Sequence, residues 1–186
     1  VHFVGHPLLD ALATNKPKTL PISTDKHRPI VALLPGSRRQ EIKRILPIMM
    51  QLPPLFPQYH FVIAAAPALP ASLYHEYINF NSDTSNISIL HGQTYAILQN
   101  AQAAIVTSGT ATLETALFNT PQVVCYRGNP MSVFIAKRLV KLSHITLVNI
   151  IAQKTVVPEL IQEQFNINNL KQALSSILPN QPQHFQ

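Results

Sequence analysis

Two short glycine turns carry residue types that could bind an anion. The first is Gly36-Ser37-Arg38-Arg39 and the second is Ser108-Gly109-Thr110. Each turn follows an apolar run and opens a helical pattern, so free backbone N–H groups and the positive end of a helix dipole would face a phosphate there. Glycine lets a ligand approach the backbone closely. The pair of turns suggests one ligand that carries a diphosphate.

Two side chains near these turns add to the predicted site. Arg38 follows Gly36-Ser37 directly, and its guanidinium fork can grip phosphate oxygens, whereas Arg39 is expected to be solvated. Glu114 lies four residues beyond Thr110, so on a helix both share one face and the carboxylate sits one turn above the phosphate. That position suits a ribose diol. A capping or surface glutamate is the alternative interpretation of Glu114.

Other kinds of chemistry are disfavoured by the spacing of residues. Neither turn has the glycines of a dinucleotide fingerprint or the Gly-Lys-Ser/Thr of a P-loop, so we expect no cofactor of the NAD or ATP kind. The acids form no Asp-x-Asp pair and the 8 histidines show no ligand spacing, so we expect no metal. His6 and His91 each lie beside a glycine, but surface or core roles are favoured. Cys125 is interpreted as core rather than as a nucleophile.

Composition and charge limit the class of protein. With 186 residues and 46% hydrophobic content, the chain can bury the core of one domain. A single cysteine excludes an intramolecular disulfide, and no apolar stretch approaches the ~20 residues that span a bilayer, so a cytosolic location is expected. The net charge of +6 reflects 8 acids against 14 Lys and Arg and favours anionic partners. Nucleic acid is the weaker interpretation, because the basic residues are scattered and aromatic interleaving is missing.

The elements that must position these residues alternate along the chain. The apolar, β-rich runs lie at 30–34, 60–65, 87–90, 103–107 and 122–126. The helical patterns lie at 41–52, 71–79, 94–100, 110–118, 131–142, 157–164 and 168–178. Continuously apolar strands alternating with helices predict an α/β fold with a parallel sheet covered by helices on both faces. Pro47 is expected to kink the first helix or delay its start.

Segments outside this pattern complete the predicted organisation. Residues 13–29 are interpreted as a linker, residues 30–178 as the ligand-binding domain, and residues 179–186 as a polar tail. Within the pattern at 131–142, Lys137, Arg138 and Lys141 form a basic helix face, for which solvation is favoured over membrane contact.

Five sequence blocks together resemble the lipid-A-disaccharide synthase family in content, order and spacing. They are Val4-Gly5-His6-Pro7-Leu8, Leu34-Pro35-Gly36-Ser37-Arg38, Ser108-Gly109-Thr110-Ala111-Thr112-Leu113-Glu114, Lys137-Arg138-Leu139-Val140-Lys141 and Asn149-Ile150-Ile151. The resemblance implies a Rossmann-like fold, namely the C-terminal domain of a GT-B glycosyltransferase. It implies an inverting, metal-independent enzyme that joins UDP-2,3-diacylglucosamine to 2,3-diacylglucosamine 1-phosphate and releases UDP.

The resemblance also assigns roles to residues. Arg38 matches the family's essential arginine and is expected to stabilise the leaving diphosphate, with Gly36 and Ser37 in its turn. Ser108, Gly109 and Thr110 match the diphosphate loop, and Glu114 matches the ribose-binding glutamate. Asn149 matches an asparagine of the nucleotide pocket, although Leu147-Val148-Asn149 replaces the usual Leu-Pro-Asn.

The resemblance further implies that residues 1–12 are the end of an N-terminal domain and a hinge. The missing N-terminal domain would carry the acceptor site and the catalytic base, so this donor-binding half is expected to be inactive alone. A homodimer and a peripheral position at the cytoplasmic face of the inner membrane are further expectations. The alternatives left open are a peptidoglycan glucosaminyltransferase, an enzyme of the UDP-GlcNAc epimerase type, and a non-enzymatic basic module that binds nucleic acid.

Overall fold

The computed structural model describes residues 20, 28–78, 85–128 and 144–179. Within these residues, six strands form one sheet in which every neighbouring pair is parallel, in the order β3-β2-β1-β4-β5-β6. The strands are β1 Ile30–Leu34, β2 His60–Ala65, β3 Ile87–His91, β4 Ala101–Thr107, β5 Gln122–Tyr126 and β6 Glu159–Ile161. This order is that of a Rossmann fold, in which the winding reverses between β1 and β4.

Six α-helices flank the sheet in the described part of the chain. They are α1 Arg39–Met49, α2 Ser72–Ile78, α3 Thr94–Asn100, α4 Ala111–Leu117, α5 Leu147–Ala152 and α6 Ile167–Ile177. Short 3₁₀ segments lie at Pro53–Leu55 and Gln162–Gln164. The Thr146 side chain caps α5 by accepting the Asn149 N–H, and the Asn166 side chain caps α6 by accepting the Asn169 N–H.

The strands are continuously apolar because helices cover both faces of the sheet. Alternate residues of β1 point to opposite faces: Val31 and Leu33 join one hydrophobic cluster, whereas Ala32 and Leu34 join the other. The larger cluster packs against α1, α2 and α6, and the smaller one contains buried residues of α3. The predicted doubly covered parallel sheet is therefore confirmed.

The predicted elements agree with the structure except near the end of the chain. The five predicted strands correspond to β1 to β5, with β3 and β4 extended by one and two residues. The helix predicted at 157–164 is wrong, because Glu159–Ile161 forms the edge strand β6 and Gln162–Gln164 a 3₁₀ turn. Pattern reasoning also missed α5. Both elements are short, and their apolar residues fit more than one period.

Pro47 lies inside α1 without delaying its start, which is at Arg39. Of the two expected effects of Pro47, the delayed start is therefore excluded and the kink stays a prediction. The predicted helix at 131–142, the hinge at 1–12 and nearly all of the linker and tail lie outside the described residues. No helix in the described part of the chain is both long and apolar enough to cross a membrane.

Candidate functional site

The two glycine turns lie side by side at the carboxyl ends of adjacent strands. Gly36-Ser37-Arg38 follows β1 and Ser108-Gly109-Thr110 follows β4, and the register of these strands pairs Leu34 with Val106. Both turns line one cavity of about 430 Å³, together with Glu41 and Glu114. The structure thus brings together, at the point where the strand order reverses, seven of the eight predicted site residues.

The first turn differs from the expectation that its backbone N–H groups are free. The Glu41 carboxylate accepts the N–H of Ser37 over 3.0 Å and that of Arg38 over 3.3 Å. Gly36 has a φ of +110°, and a Cβ built on it would lie 2.5 Å from Glu41 Oε2. The carboxylate therefore already accepts the backbone N–H groups that an anion would use. Residue 36 must be glycine, because its φ is positive and a Cβ would collide with Glu41.

Arg38 presents its side chain to solvent at the mouth of the cavity. The side chain is 82% exposed, and its Nη1 lies 3.4 Å from Glu41 Oε1. An ion pair this exposed holds the guanidinium weakly, since solvent screens the attraction. Arg38 is therefore free to turn toward a phosphate, and the guanidinium is what the first turn offers to an anion.

The second turn offers backbone donors. The Ser108 N–H bonds the carbonyl of Cys125 over 2.8 Å, and the Thr112 hydroxyl donates to the Gly109 carbonyl over 2.7 Å, so both ends of the turn are fixed. Within the described residues, nothing accepts a hydrogen bond from the N–H of Gly109 or Thr110. These groups are ready for the oxygen atoms of an anionic ligand.

Glu114 lies on α4 one turn beyond Thr110, as the spacing predicts, and lines the cavity. Its Oε1 accepts a hydrogen bond from the Tyr95 hydroxyl over 3.1 Å. Tyr95 was missed by sequence reasoning, although it lies in the helix predicted at 94–100. Its partner comes from another helix, so no short-range pattern could indicate the contact.

A second cavity of about 350 Å³ adjoins the first. It is lined by Gly92, Gln93, Tyr95 and Gln99, and it shares Pro67, Thr94 and Glu114 with the first. Glu114 therefore lines two adjoining cavities, one beside the glycine turns and one along α3. A ligand with a diphosphate at one end could extend past this carboxylate.

Thr107 lies on the floor of the first cavity, directly before the second turn. The residue is 7% exposed, and its hydroxyl has no hydrogen-bond partner among the described residues. A buried hydroxyl without a hydrogen-bond partner lowers the stability of the fold. A substitution at Thr107 can therefore show whether this hydroxyl is kept at the expense of stability.

Asn149 lies away from both cavities and is fully buried. Its amide donates to the Val157 carbonyl and to Glu159 Oε1, and its oxygen accepts the N–H groups of Val156 and Val157. The side chain thus ties α5 to the segment before β6. The structure does not bring Asn149 to the other predicted site residues, and its contact with a nucleotide stays a prediction.

Glu159 anchors the same network. Burial of its carboxyl acts to raise the pKa, but hydrogen bonds from the Ile145 N–H, the Thr146 hydroxyl and N–H and the Asn149 amide outweigh burial and hold the pKa below its ordinary value. The ionised form is therefore the one that the fold stabilises.

The remaining reactive side chains of the described residues form no metal-binding cluster. In the described ranges, no group of three or more His, Cys, Asp or Glu could hold a metal ion. Cys125 is buried in the larger cluster, as predicted, and burial raises the pKa of its thiol well above the ordinary value. His91 is exposed, and its ring meets that of Tyr74 edge-on outside both cavities. His6 lies outside the described residues.

Comparison with known sequences gives one consistent family. A family model described as lipid-A-disaccharide synthetase matches residues 1–186. The lipid-A-disaccharide synthase of Syntrophus aciditrophicus is 38% identical over 185 residues, which cover 96% of this chain and 48% of that protein. The lipid-A-disaccharide synthase of Pseudomonas putida is 34% identical over 192 residues, again 96% of this chain and 48% of the relative.

Solved structures agree on the fold. The ADP-heptose lipopolysaccharide heptosyltransferase II of E. coli matches with a TM-score of 0.57 at 11% identity, over 83% of this chain and 48% of that one. The glycotransferase of kitacinnamycin matches with a TM-score of 0.56 at 13% identity, over 91% of this chain and 38% of the other. In each case a glycosyltransferase contains a part shaped like this chain.

Proposed function

Because this chain belongs to the lipid-A-disaccharide synthetase family, we propose that it forms the nucleotide-sugar-binding half of a glycosyltransferase of lipid A biosynthesis. The enzyme would join UDP-2,3-diacylglucosamine to 2,3-diacylglucosamine 1-phosphate, giving lipid A disaccharide 1-phosphate and UDP. The chain spans about half the length of the curated relatives it matches. The observation that carries the proposal is the single cavity lined by both glycine turns and Glu114.

Stabilisation of the departing diphosphate is the chemistry proposed for the two turns. Negative charge builds on the UDP oxygens as the glycosidic bond to the donor breaks, and preorganised donors lower the energy of that state. The N–H groups of Gly109 and Thr110 would meet one phosphate, with Ser108 lining the cavity beside them. The exposed guanidinium of Arg38 would fold onto the other, over Gly36 and Ser37.

Glu114 is proposed to accept hydrogen bonds from the ribose diol. Glu114 lines both adjoining cavities, one turn of α4 above the proposed phosphate site. A vicinal diol offers two donors to a carboxylate, so the contact would fix the direction in which the nucleotide lies. Asn149 is proposed to contact the nucleotide, as the resemblance implies, and its helix α5 packs against α4.

The base that removes the proton of the acceptor hydroxyl is proposed to lie in the half of the related proteins that this chain does not cover. Sugar transfer needs a base beside the acceptor hydroxyl. The carboxylates that line the first cavity are already engaged, Glu41 with its own turn and Glu114 with Tyr95. We therefore expect this chain to bind UDP or the donor weakly and, by itself, to form no disaccharide from the two lipid substrates.

A peripheral position at the cytoplasmic face of the inner membrane belongs to the same proposal. The support is in the sequence, where the spacing of Lys137, Arg138 and Lys141, which lie outside the described residues, predicts one basic face. Such a face would attract anionic lipid with about 1 kcal/mol per residue near the surface and would release it as salt rises. Association with an N-terminal domain and formation of a homodimer are proposed from the resemblance alone.

Protection against thermal unfolding tests the proposed ligand class. A ligand that binds only the folded state raises the midpoint of unfolding. UDP is expected to raise it in a concentration-dependent way, and a single-stranded oligonucleotide of equal charge is expected to leave it unchanged. Protection by the oligonucleotide but not by UDP would favour the basic nucleic-acid-binding module instead.

A further inference from the structure

One hydroxyl group fixes the orientation of the carboxylate between the two cavities. Tyr95, the second residue of α3, donates from its hydroxyl to Glu114 Oε1 over 3.1 Å. Both residues line the second cavity, and Glu114 also lines the first. The contact therefore joins α3 to α4 at the junction of the two spaces.

The ring of Tyr95 is itself held in place. It lies tilted against the ring of Phe118, with centroids 5.3 Å apart and an interplanar angle of 53°. Phe118 caps the carboxyl end of α4, so one residue of α3 contacts that helix through both its ring and its hydroxyl. Two contacts on one side chain leave the hydroxyl little freedom to leave Glu114.

The direction of the hydrogen bond is also fixed. Burial of the Tyr95 hydroxyl raises its pKa, and the nearby charge of Glu114 and the hydrogen bond to it raise it further. Tyr95 therefore remains protonated at neutral pH and is the donor of this hydrogen bond. Oε1 of Glu114 accepts the hydrogen bond from Tyr95, and no hydrogen bond within the described residues involves Oε2.

We propose that Tyr95 is a positioning residue for diol recognition: by holding Oε1 of Glu114, it aims Oε2 at the vicinal hydroxyl groups of a nucleoside diphosphate. The inference rests on the proposed function, because it takes Glu114 as the group that meets the ribose. It adds a residue that does not touch the diol and yet decides how well the diol is recognised. Without the hydrogen bond from Tyr95, the carboxylate would lose rotamer freedom when the nucleotide binds, and this loss of entropy would lower the affinity.

The Tyr95→Phe variant isolates this role, since Phe keeps the ring against Phe118 and removes only the hydroxyl. Calorimetry compares UDP with 2′,3′-dideoxy-UDP, which lacks the diol, on the 186-residue chain. We expect Tyr95→Phe to weaken UDP binding by about three- to tenfold, the typical net contribution of one hydrogen bond, and to leave dideoxy-UDP binding unchanged. Tyr77→Phe, at a half-buried tyrosine of α2 outside both cavities, is the matched control and should change neither.

The outcomes separate the inference from the proposal beneath it. In a Glu114→Ala background, Tyr95→Phe should have no further effect on UDP, because the two residues act as one unit. Equal weakening of both nucleotides by Tyr95→Phe, or none, would overturn the inference while UDP binding by the unmodified chain still supports the proposed function. An unmodified chain that binds UDP no better than dideoxy-UDP would overturn both the role of Glu114 and that of Tyr95.

Discussion

The Glu41 carboxylate accepts the backbone N–H of Ser37 over 3.0 Å, within the turn that the sequence presents as an anion site. The same oxygen accepts the Arg38 N–H over 3.3 Å. The first turn is thus held by its own acid, whereas the second turn leaves the N–H groups of Gly109 and Thr110 without acceptors in the described part of the chain. The two turns therefore contribute different groups to the site, since the first supplies a mobile cation and the second supplies fixed backbone donors.

Removal of the Glu41 carboxylate tests whether it holds the first turn. Glu41→Ala should lower the free energy of unfolding by about 1 kcal/mol, the usual value of such a helix-start contact. It should also weaken UDP binding, because the backbone of the turn that carries Arg38 is no longer held by the carboxylate. Urea unfolding and calorimetry measure the two effects. Glu76→Ala, which removes an equal charge from an exposed position on α2, is the control. Tighter UDP binding by Glu41→Ala would show that the carboxylate competes with the ligand.

Gly36 is expected to tolerate no side chain. At a φ of +110°, Ala is strained, and its Cβ would lie 2.5 Å from Glu41 Oε2. Gly36→Ala should cost about 1–2 kcal/mol of stability from the backbone conformation alone, with a further loss from the contact. In the Glu41→Ala background the contact with the carboxylate is absent and only the one with the Cβ of residue 41, at 2.9 Å, remains, so the double variant should lose less than the sum of the two single variants. Additive losses would mean that the two residues do not meet.

Arg38→Ala should weaken UDP binding by about 1.5–3 kcal/mol, the range of a hydrogen bond to a charged group. The stability of the fold should change little, because the side chain is 82% exposed. Arg39→Ala, which removes the same charge one residue along, should leave UDP affinity nearly unchanged. Calorimetry in which the two variants behave alike would remove Arg38 from the site.

Thr107→Val should raise the free energy of unfolding by about 1 kcal/mol, because it replaces an unpaired, buried hydroxyl by a methyl group of similar shape. Thr112→Val provides the contrast, since that hydroxyl donates to the Gly109 carbonyl over 2.7 Å and its loss should destabilise the second turn. Denaturant unfolding of both variants measures the difference. Weaker UDP binding by Thr107→Val would instead place the hydroxyl against the ligand.

Acid should weaken the fold through Glu159. The pKa of this carboxyl is lower in the folded chain than its ordinary value of 4.5. Its contribution to stability is therefore fully present above pH 4.5 and is lost as pH falls through the lower, folded-state pKa. Glu159→Gln should make the free energy of unfolding depend less on pH in this acidic window. An unchanged acid limb would show that the network with Thr146 and Asn149 does not favour the ionised form.

Most of the fold could be predicted from the sequence because its central strands are continuously apolar and separated by turn residues. β1, β2 and β5 were predicted with the observed bounds, since burial on both faces leaves no competing pattern. The region after residue 144 was harder. α5 and β6 are short and half exposed, and side-chain hydrogen bonds centred on Glu159 hold them, which no periodicity records.

The residues of the candidate site also differ in whether the sequence could reveal them. The glycine turns and Glu114 were found because each depends on residues close together in sequence. Tyr95 was missed because its contact with Glu114 bridges two helices. The role of Glu41 had a local signal, since an acid at the third position of a helix commonly caps the start of that helix.

The central claim is that the two glycine turns form one nucleoside diphosphate site, and amide chemical shifts during a UDP titration test it most directly. In ¹⁵N-labelled chain, we expect UDP to shift the amide signals of Gly36, Gly109 and Thr110 together, along one saturation curve. The signal of Asn149 should follow weakly, because its helix contacts α4. Saturating UDP that leaves the Gly109 and Thr110 signals in place would contradict the account.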